Sequence, residues 1–265
     1  GDFGSTSGLT LNTTTGAITP STSTAGTYTV TYTIPASGGC PETDITTSVV
    51  ITELPTASID YADPFCTSDA SAQVVNSSGT ANWTTGSYSS TAGLTIDPST
   101  GDIDASTSTG GIYTVTYTIP LADGCPIVTA TSSVTITVAP TATISYNDPY
   151  CESDLGIEAV SLNGSGAYLG GDFSSTPAGL TLNISSGGVE PSTSQPNVYT
   201  VTYTIPASAG CPSEDVTTTV TIFEVPVFTL TPAVGSVVVE TVVIVSLGWV
   251  CAATVADVVP PPDQH

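Results

Sequence analysis

The stretch Tyr28-Thr-Val-Thr-Tyr-Thr-Ile-Pro35 decides the fold, because it occurs three times. It returns at Tyr113–Pro120 and at Tyr199–Pro206, at offsets of 85 and 86 residues. Within each copy Tyr, Val, Tyr and Ile alternate with threonine. A period of two puts the large side chains on one face of a strand and the threonines on the other. A Gly-Cys-Pro follows every copy, at Cys40, Cys125 and Cys211, and a Gly-Leu-Thr precedes it, at Gly8, Gly93 and Gly179. Asp63-Pro-Phe-Cys66 is matched by Asp148-Pro-Tyr-Cys151, and Pro55-Thr-Ala-Ser-Ile by Pro140-Thr-Ala-Thr-Ile. A fixed period of this kind is the signature of a tandem array.

The stretches after each Cys-Pro, Ile45 to Ile51, Val128 to Val138 and Val216 to Ile222, alternate in the same way. Turn sequences such as Ser99-Thr-Gly101 and Asp123-Gly124 separate the runs, and no helical periodicity appears in the repeats. The expected fold is all-β: tandem small antiparallel β-sandwiches of immunoglobulin-like type. The expected spans are an incomplete repeat over 1–54, full repeats over 55–139 and 140–225, and a valine-rich tail over 226–265.

Composition narrows the function. The 265 residues include no lysine or arginine, 23 acidic residues and one histidine, a formal charge of −23. Without cations there is no clamp for phosphate, so nucleic-acid and nucleotide binding are excluded, as is attraction to anionic lipid. His265 stands alone at the last position, which removes histidine-based triads and multi-histidine metal sites. Ser and Thr supply close to a third of the chain and 39% of residues are hydrophobic, a strand-forming and not a disordered composition.

The segment from Thr91-Ala-Gly-Leu-Thr-Ile-Asp-Pro-Ser-Thr-Gly-Asp-Ile103 through Gly111-Ile-Tyr-Thr-Val-Thr-Tyr117 resembles the immunoglobulin-like and cadherin-like repeats of bacterial surface proteins. With its cysteines it resembles the tandem repeats of large Bacteroidetes cell-surface adhesins of the gliding-adhesin type. The resemblance covers about residues 1–225. It implies the sandwich fold and an extracellular setting, and it names no ligand.

Cys66 and Cys125 lie 59 residues apart in one repeat, and Cys151 and Cys211 lie 60 apart in the next. We expect disulfides Cys66–Cys125 and Cys151–Cys211. Each would constrain the unfolded chain by about 4 kcal/mol and point to an oxidising compartment. No Cys-x-x-Cys motif or Cys/His cluster supports zinc instead. Cys40 lacks an upstream partner in its own repeat. The tail stretch Cys251-Ala-Ala-Thr-Val-Ala-Asp-Val-Val259 matches Cys66-Thr-Ser-Asp-Ala-Ser-Ala-Gln-Val-Val75 in register within one residue. The two ends therefore read as two halves of one domain, with Cys251 expected to pair with Cys40 of a neighbouring copy. Such a contact does not close on itself and generates a filament. The same halves arise if the chain is one window of a longer tandem array. The apolar run Val237–Val259 carries Glu240 and Asp257 and reads as a donated or buried strand more readily than a membrane span, since no positive flank orients it.

Other candidate chemistry comes from oxygen atoms. Asp60, Asp63, Asn147 and Asp148 lie just after the linkers and are the candidate calcium ligands, although no twelve-residue calcium loop is present. Calcium is the one cofactor considered. Asn12, Asn76, Asn82, Asn163 and Asn183 fit the N-glycosylation acceptor pattern, and the many Ser and Thr could equally carry O-glycans. Asp97, Asp102 and Asp104 could form a carboxylate pair for glycoside hydrolysis, but their equivalents elsewhere, Asn12 and Ala17 or Asn183 and Val189, do not ionise, and they read as turn acids. No enzyme is expected. The expected function is that of a structural subunit of an extracellular bacterial filament or surface adhesin, its partner being itself. The alternative is a carbohydrate- or protein-binding adhesin module within a longer array.

Overall fold

The computed structural model describes residues 1–226, apart from Asn82 and Asp123. The described residues form strands, turns and three short 3-10 turns, with no α-helix among them. The chain divides into two compact units, Gly1–Ile136 and a second that begins at Thr137.

The first unit opens with β1 (Asp2–Ser5), β2 (Gly26–Ile34) and β3 (Thr43–Ile51), which form one antiparallel sheet in the order β1-β2-β3. The decisive Tyr-Thr-Val-Thr-Tyr-Thr-Ile stretch is β2. It pairs with β3 over its whole length, from Gly26↔Ile51 to Ile34↔Thr43. The second repeat adds β4 (Thr56–Asp60), β5 (Phe65–Cys66), β6 (Ala72–Gln73), β7 (Asn76–Thr80), β8 (Ser87–Ser90), β9 (Thr95–Ile96), β10 (Ile103–Asp104), β11 (Gly111–Ile119) and β12 (Val128–Thr137). These make a four-stranded sheet β5-β12-β11-β8 and two smaller sheets, β4-β7 and β6-β10-β9. The core lies between the sheets. Tyr113, Val115, Tyr117 and Ile119 from β11 and Val134 and Ile136 from β12 pack against Ile59, Tyr61 and Phe65.

The second unit repeats the plan with β13 (Thr141–Ser145), β14 (Tyr150–Cys151), β15 (Ser161–Ser165), β16 (Asp172–Thr176), β17 (Asn197–Ile205) and β18 (Glu214–Phe223). Its sheets are β14-β18-β17-β16 and β13-β15. Tyr199, Val201, Tyr203 and Ile205 are buried against Ile144 and Tyr150. The all-β expectation holds, and the long strands pair antiparallel, while the two-residue β14 runs parallel to β18.

Two devices recur in every repeat. The first is a tyrosine whose hydroxyl donates to the carbonyl four residues upstream: Tyr28 to Thr24 at 2.7 Å, Tyr113 to Thr109 at 2.7 Å and Tyr199 to Gln195 at 2.6 Å. This ties the start of the long strand to the preceding turn, as a tyrosine corner does. The second is a tilted aromatic pair: Phe3 with Tyr32, Tyr88 with Tyr117, and Phe173 with Tyr203, their ring centroids 4.7, 4.5 and 4.6 Å apart. The ring of Tyr88 rests on Gly101. That glycine takes φ +81°, and a Cβ there would fall 2.7 Å from the ring, so only glycine serves.

The turn that ends at Gly101 shows what the acids do. Asp97 Oδ1 accepts the backbone N–H of Ser99 at 2.7 Å and of Thr100 at 3.1 Å. These bonds, that of Ser99 first, hold the carboxyl below its ordinary range. Because the folded-state value is lowered, the stabilisation is present above the unfolded carboxylate pKa of about 3.9 and is lost as pH falls through the folded value. Asn12 and Asn183 make the same two bonds with an amide oxygen that does not titrate. Asp97→Asn is therefore expected to leave the thermal midpoint at pH 7 unchanged. At pH 3 the variant should lose less of its midpoint than the parent chain, as read by circular dichroism.

Candidate assembly site

The three repeats carry equivalent side chains on the inner face of the long hairpin, and their burial differs. Ile119 is 3% exposed and Ile205 is fully buried, whereas Ile34 is 43% exposed. Val134 and Val220 are fully buried, but Val49 is only half-buried; Ile136 and Ile222 are buried and Ile51 is not. Tyr32 is likewise half-buried where Tyr117 and Tyr203 are sealed. Ile45, opposite Tyr32 in the ladder, is 58% exposed. Among the described residues nothing takes, over β2 and β3, the place that Ile59, Tyr61 and Phe65 take in the second repeat. The five side chains Tyr32, Ile34, Ile45, Val49 and Ile51 thus form an uncovered apolar face. Covering it is worth about 1.5–3 kcal/mol for each aliphatic side chain fully buried.

The cysteines sit in two kinds of place. Cys40, Cys125 and Cys211 are each held by a bridged turn in the loop that connects the two strands of the long hairpin, through the pairs Ser37↔Cys40, Ala122↔Cys125 and Ser208↔Cys211. Cys66 and Cys151 lie on the short strands β5 and β14, beside the far ends of β12 and β18. In the second unit Cys151 stands opposite Phe223, the last residue of β18, while Cys211 precedes Glu214, the first. A ten-residue strand is about 30 Å long, and a disulfide needs Cα atoms within about 7 Å. The same holds in the second repeat, where Asp63 Oδ2 accepts the N–H of Thr135 near the end of β12 and Cys125 lies just before its start.

The expected pairs Cys66–Cys125 and Cys151–Cys211 are therefore corrected: each joins positions at opposite ends of one strand. Cys125 is a free thiol, while Cys66, Cys151 and Cys211 are disulfide-bonded. Cys40 is also a free thiol, and exposed. Its expected partner Cys251 lies outside the described residues. Cys125 Sγ donates to the Glu53 carbonyl at 3.6 Å and lines a depression with Thr52, Pro55, Ile119 and Pro120. Cys211 Sγ lies 4.0 Å from the carbonyl of Thr137, the equivalent seat one repeat later.

The calcium candidates have other partners. Besides the bond from Thr135 to Asp63, Asp148 Oδ1 accepts the N–H of Thr221 and its Oδ2 accepts the Thr221 hydroxyl at 3.4 Å. Both carboxylates pin the Asp-Pro turn to the last strand of their sheet. Asp60 and Asn147 are exposed, and among the described residues no group of three His, Cys, Asp or Glu side chains could hold a metal. Asp148→Ala would leave the Thr221 amide without its acceptor. We expect a loss of about 1–3 kcal/mol, measured by urea unfolding. Asn12, Asn76, Asn163 and Asn183 are exposed on turns and outer strands, and Asn82 lies outside the described residues. Asp104 Oδ1 accepts from Ser106 and Thr107, so it and Asp97 are turn acids that face solvent and not each other.

The sequence reading did not find the repeated aromatic pairs or the anchoring role of Asp63 and Asp148. Phe3, Tyr88 and Phe173 recur at the repeat period, and that spacing was the available signal.

No family model matches the chain, and no curated protein does. Solved structures with similar folds include a three-Ig stretch of titin, at 10% identity, covering 84% of this chain and 82% of that one, with a TM-score of 0.43. The N-terminal eight immunoglobulin domains of Down Syndrome Cell Adhesion Molecule match at 12% identity over 79% of this chain and 28% of that one, TM-score 0.42. A SusE-like surface located polysaccharide binding protein of Bacteroides thetaiotaomicron matches at 13% identity over 83% and 43%, TM-score 0.26. The chain spans about a quarter of the Down Syndrome Cell Adhesion Molecule fragment and about two thirds of an N-cadherin fragment from Drosophila. At these identities the likeness concerns the fold.

Proposed function

We propose that this chain is a structural subunit of an extracellular bacterial filament or surface adhesin, assembling head to tail by strand complementation. The observation that carries the reading is the uncovered face of Tyr32, Ile34, Ile45, Val49 and Ile51; the counterparts of all of these but Ile45 are sealed in both later repeats. The occupant is the valine-rich segment Val237–Val259 of a second copy. Its Cys251–Val259 stretch has the sequence pattern of Cys66–Val75, which carries β5 and β6 of the second repeat. Main-chain pairing beside β3 and burial of the face would together complete the sandwich. With no lysine or arginine on any copy, no salt bridge with such a side chain can hold the junction, so pairing, apolar burial and disulfides must. Oxidised Cys66, Cys151 and Cys211 support an extracytoplasmic setting. No helix among the described residues is long and apolar enough to cross a membrane.

Negative-stain microscopy of the purified chain at rising concentration tests this. Unbranched filaments that lengthen with concentration are expected; particles that stay single at every concentration would contradict the reading.

A further inference from the structure

The open face of the first repeat carries polar groups as well as apolar ones. We propose that it selects its covering strand by two hydrogen bonds, taking an extended segment that carries a phenolic hydroxyl and, two residues later, a carboxylate: the chemistry of Tyr61 and Asp63. The proposal rests on the reading of that face as the acceptor of a strand from another copy, and not on which segment supplies the strand.

Both later repeats make the two bonds. The Tyr61 hydroxyl donates to the carbonyl of Gly101 at 2.7 Å, and the Tyr146 hydroxyl to that of Gly187 at 2.6 Å. Two residues on, Asp63 accepts the N–H of Thr135 at 3.0 Å and Asp148 accepts that of Thr221. The first repeat has the same two receiving groups. Gly16 closes the same turn as Gly101 and Gly187: its N–H donates to the carbonyl of Asn12, as theirs do to Asp97 and Asn183, and an aromatic ring rests on each glycine. Val50 stands opposite Thr27, as Thr135 stands opposite Ile112 and Thr221 opposite Val198. Thr29, two residues from Thr27, turns its backbone away from β3: its N–H donates to the hydroxyl of Thr6 and its carbonyl accepts the Thr6 N–H. Pairs of that parity exchange no ladder bond, so the Val50 N–H points out of the open edge of β3. Among the described residues no group donates to the Gly16 carbonyl and none accepts from the Val50 N–H.

These two groups set a chemical requirement on the occupant. A wholly apolar strand laid over the face would close a backbone N–H and a C=O off from water without partners, which costs more than a made bond returns. A strand with the hydroxyl and the carboxylate two residues apart satisfies both, and a slip of one residue satisfies neither. The segments Ile59-Asp-Tyr61-Ala-Asp63-Pro-Phe65-Cys66 and Ile144-Ser-Tyr146-Asn-Asp148-Pro-Tyr150-Cys151 meet the requirement. Counted back from Cys251 in the same way, the tail has Ser246 and Gly248 at these places, a short hydroxyl and no carboxylate. A Tyr-x-Asp segment is therefore the better-fitting occupant.

The probe is a fluorescent peptide of residues 55–75 with Cys66→Ser, titrated by anisotropy against the full chain below its assembly concentration. Saturable binding is expected. Tyr61→Phe in the peptide should weaken it about fivefold and Asp63→Ala at least about tenfold. Val50→Pro in the chain removes the N–H at an edge position where proline is tolerated, and against that chain Asp63→Ala should make no further difference. Parent and variant peptides that bind alike would overturn the proposal and leave the strand-complementation reading standing. A chain that forms filaments yet binds no peptide would do the same. A chain that neither binds the peptide nor forms filaments would overturn both.

Discussion

A chain truncated after Pro226 will stay monomeric at concentrations where the 265-residue chain forms filaments. The truncated chain keeps every described residue of the two buried clusters. It also keeps the uncovered face of the first repeat. It should therefore unfold much like the parent, yet lack the segment that occupies the face on the next copy. Mixed in small amounts with the full chain it can accept but not donate, so it should cap filaments at one end and shorten them. Sedimentation gives the monomer mass and microscopy the lengths. Filaments of ordinary length from the truncated chain alone would remove the tail from the assembly.

The second large effect concerns one residue type at three equivalent places. Ile119→Ala and Ile205→Ala each remove a side chain that is 3% and 0% exposed, and each should cost about 2–5 kcal/mol in urea unfolding of the isolated chain. Ile34→Ala removes the equivalent side chain where it is 43% exposed, and should change isolated-chain stability by less than about 0.5 kcal/mol. In the filament the order changes. Ile34 becomes a core residue, so Ile34→Ala should raise the concentration needed for assembly while leaving the monomer intact. A monomer destabilised equally by all three substitutions would show that the first repeat is already sealed.

The repeat period was legible because a two-residue alternation survives in Tyr28–Ile34, Tyr113–Ile119 and Tyr199–Ile205, and alternation dictates strands with one apolar face. The turn role of Asp97 was legible because Asn12 and Asn183 replace it without an ionisable group. The disulfide pairing was not. Sequence spacing placed two cysteines in each full repeat and suggested a loop, but spacing does not say at which end of a strand each sulfur emerges. Cys66 and Cys125 belong to one repeat but stand at opposite ends of β12. The Asp-Pro carboxylates misled for a similar reason: oxygen-rich sequence is shared by cation sites and by turns, and only the amides of Thr135 and Thr221 distinguish them. The uncovered face of the first repeat needed the structure, since β2 reads the same as β11 and β17 and differs only in what lies over it.

That separate copies complete one another is tested most directly by the mass of the chains released from assembled material by detergent and thiol. Chains of 26.5 kDa are expected, linked before reduction in multiples of that mass. A chain several times larger that survives reduction would contradict the claim, because the covering strands would then come from the same continuous polypeptide.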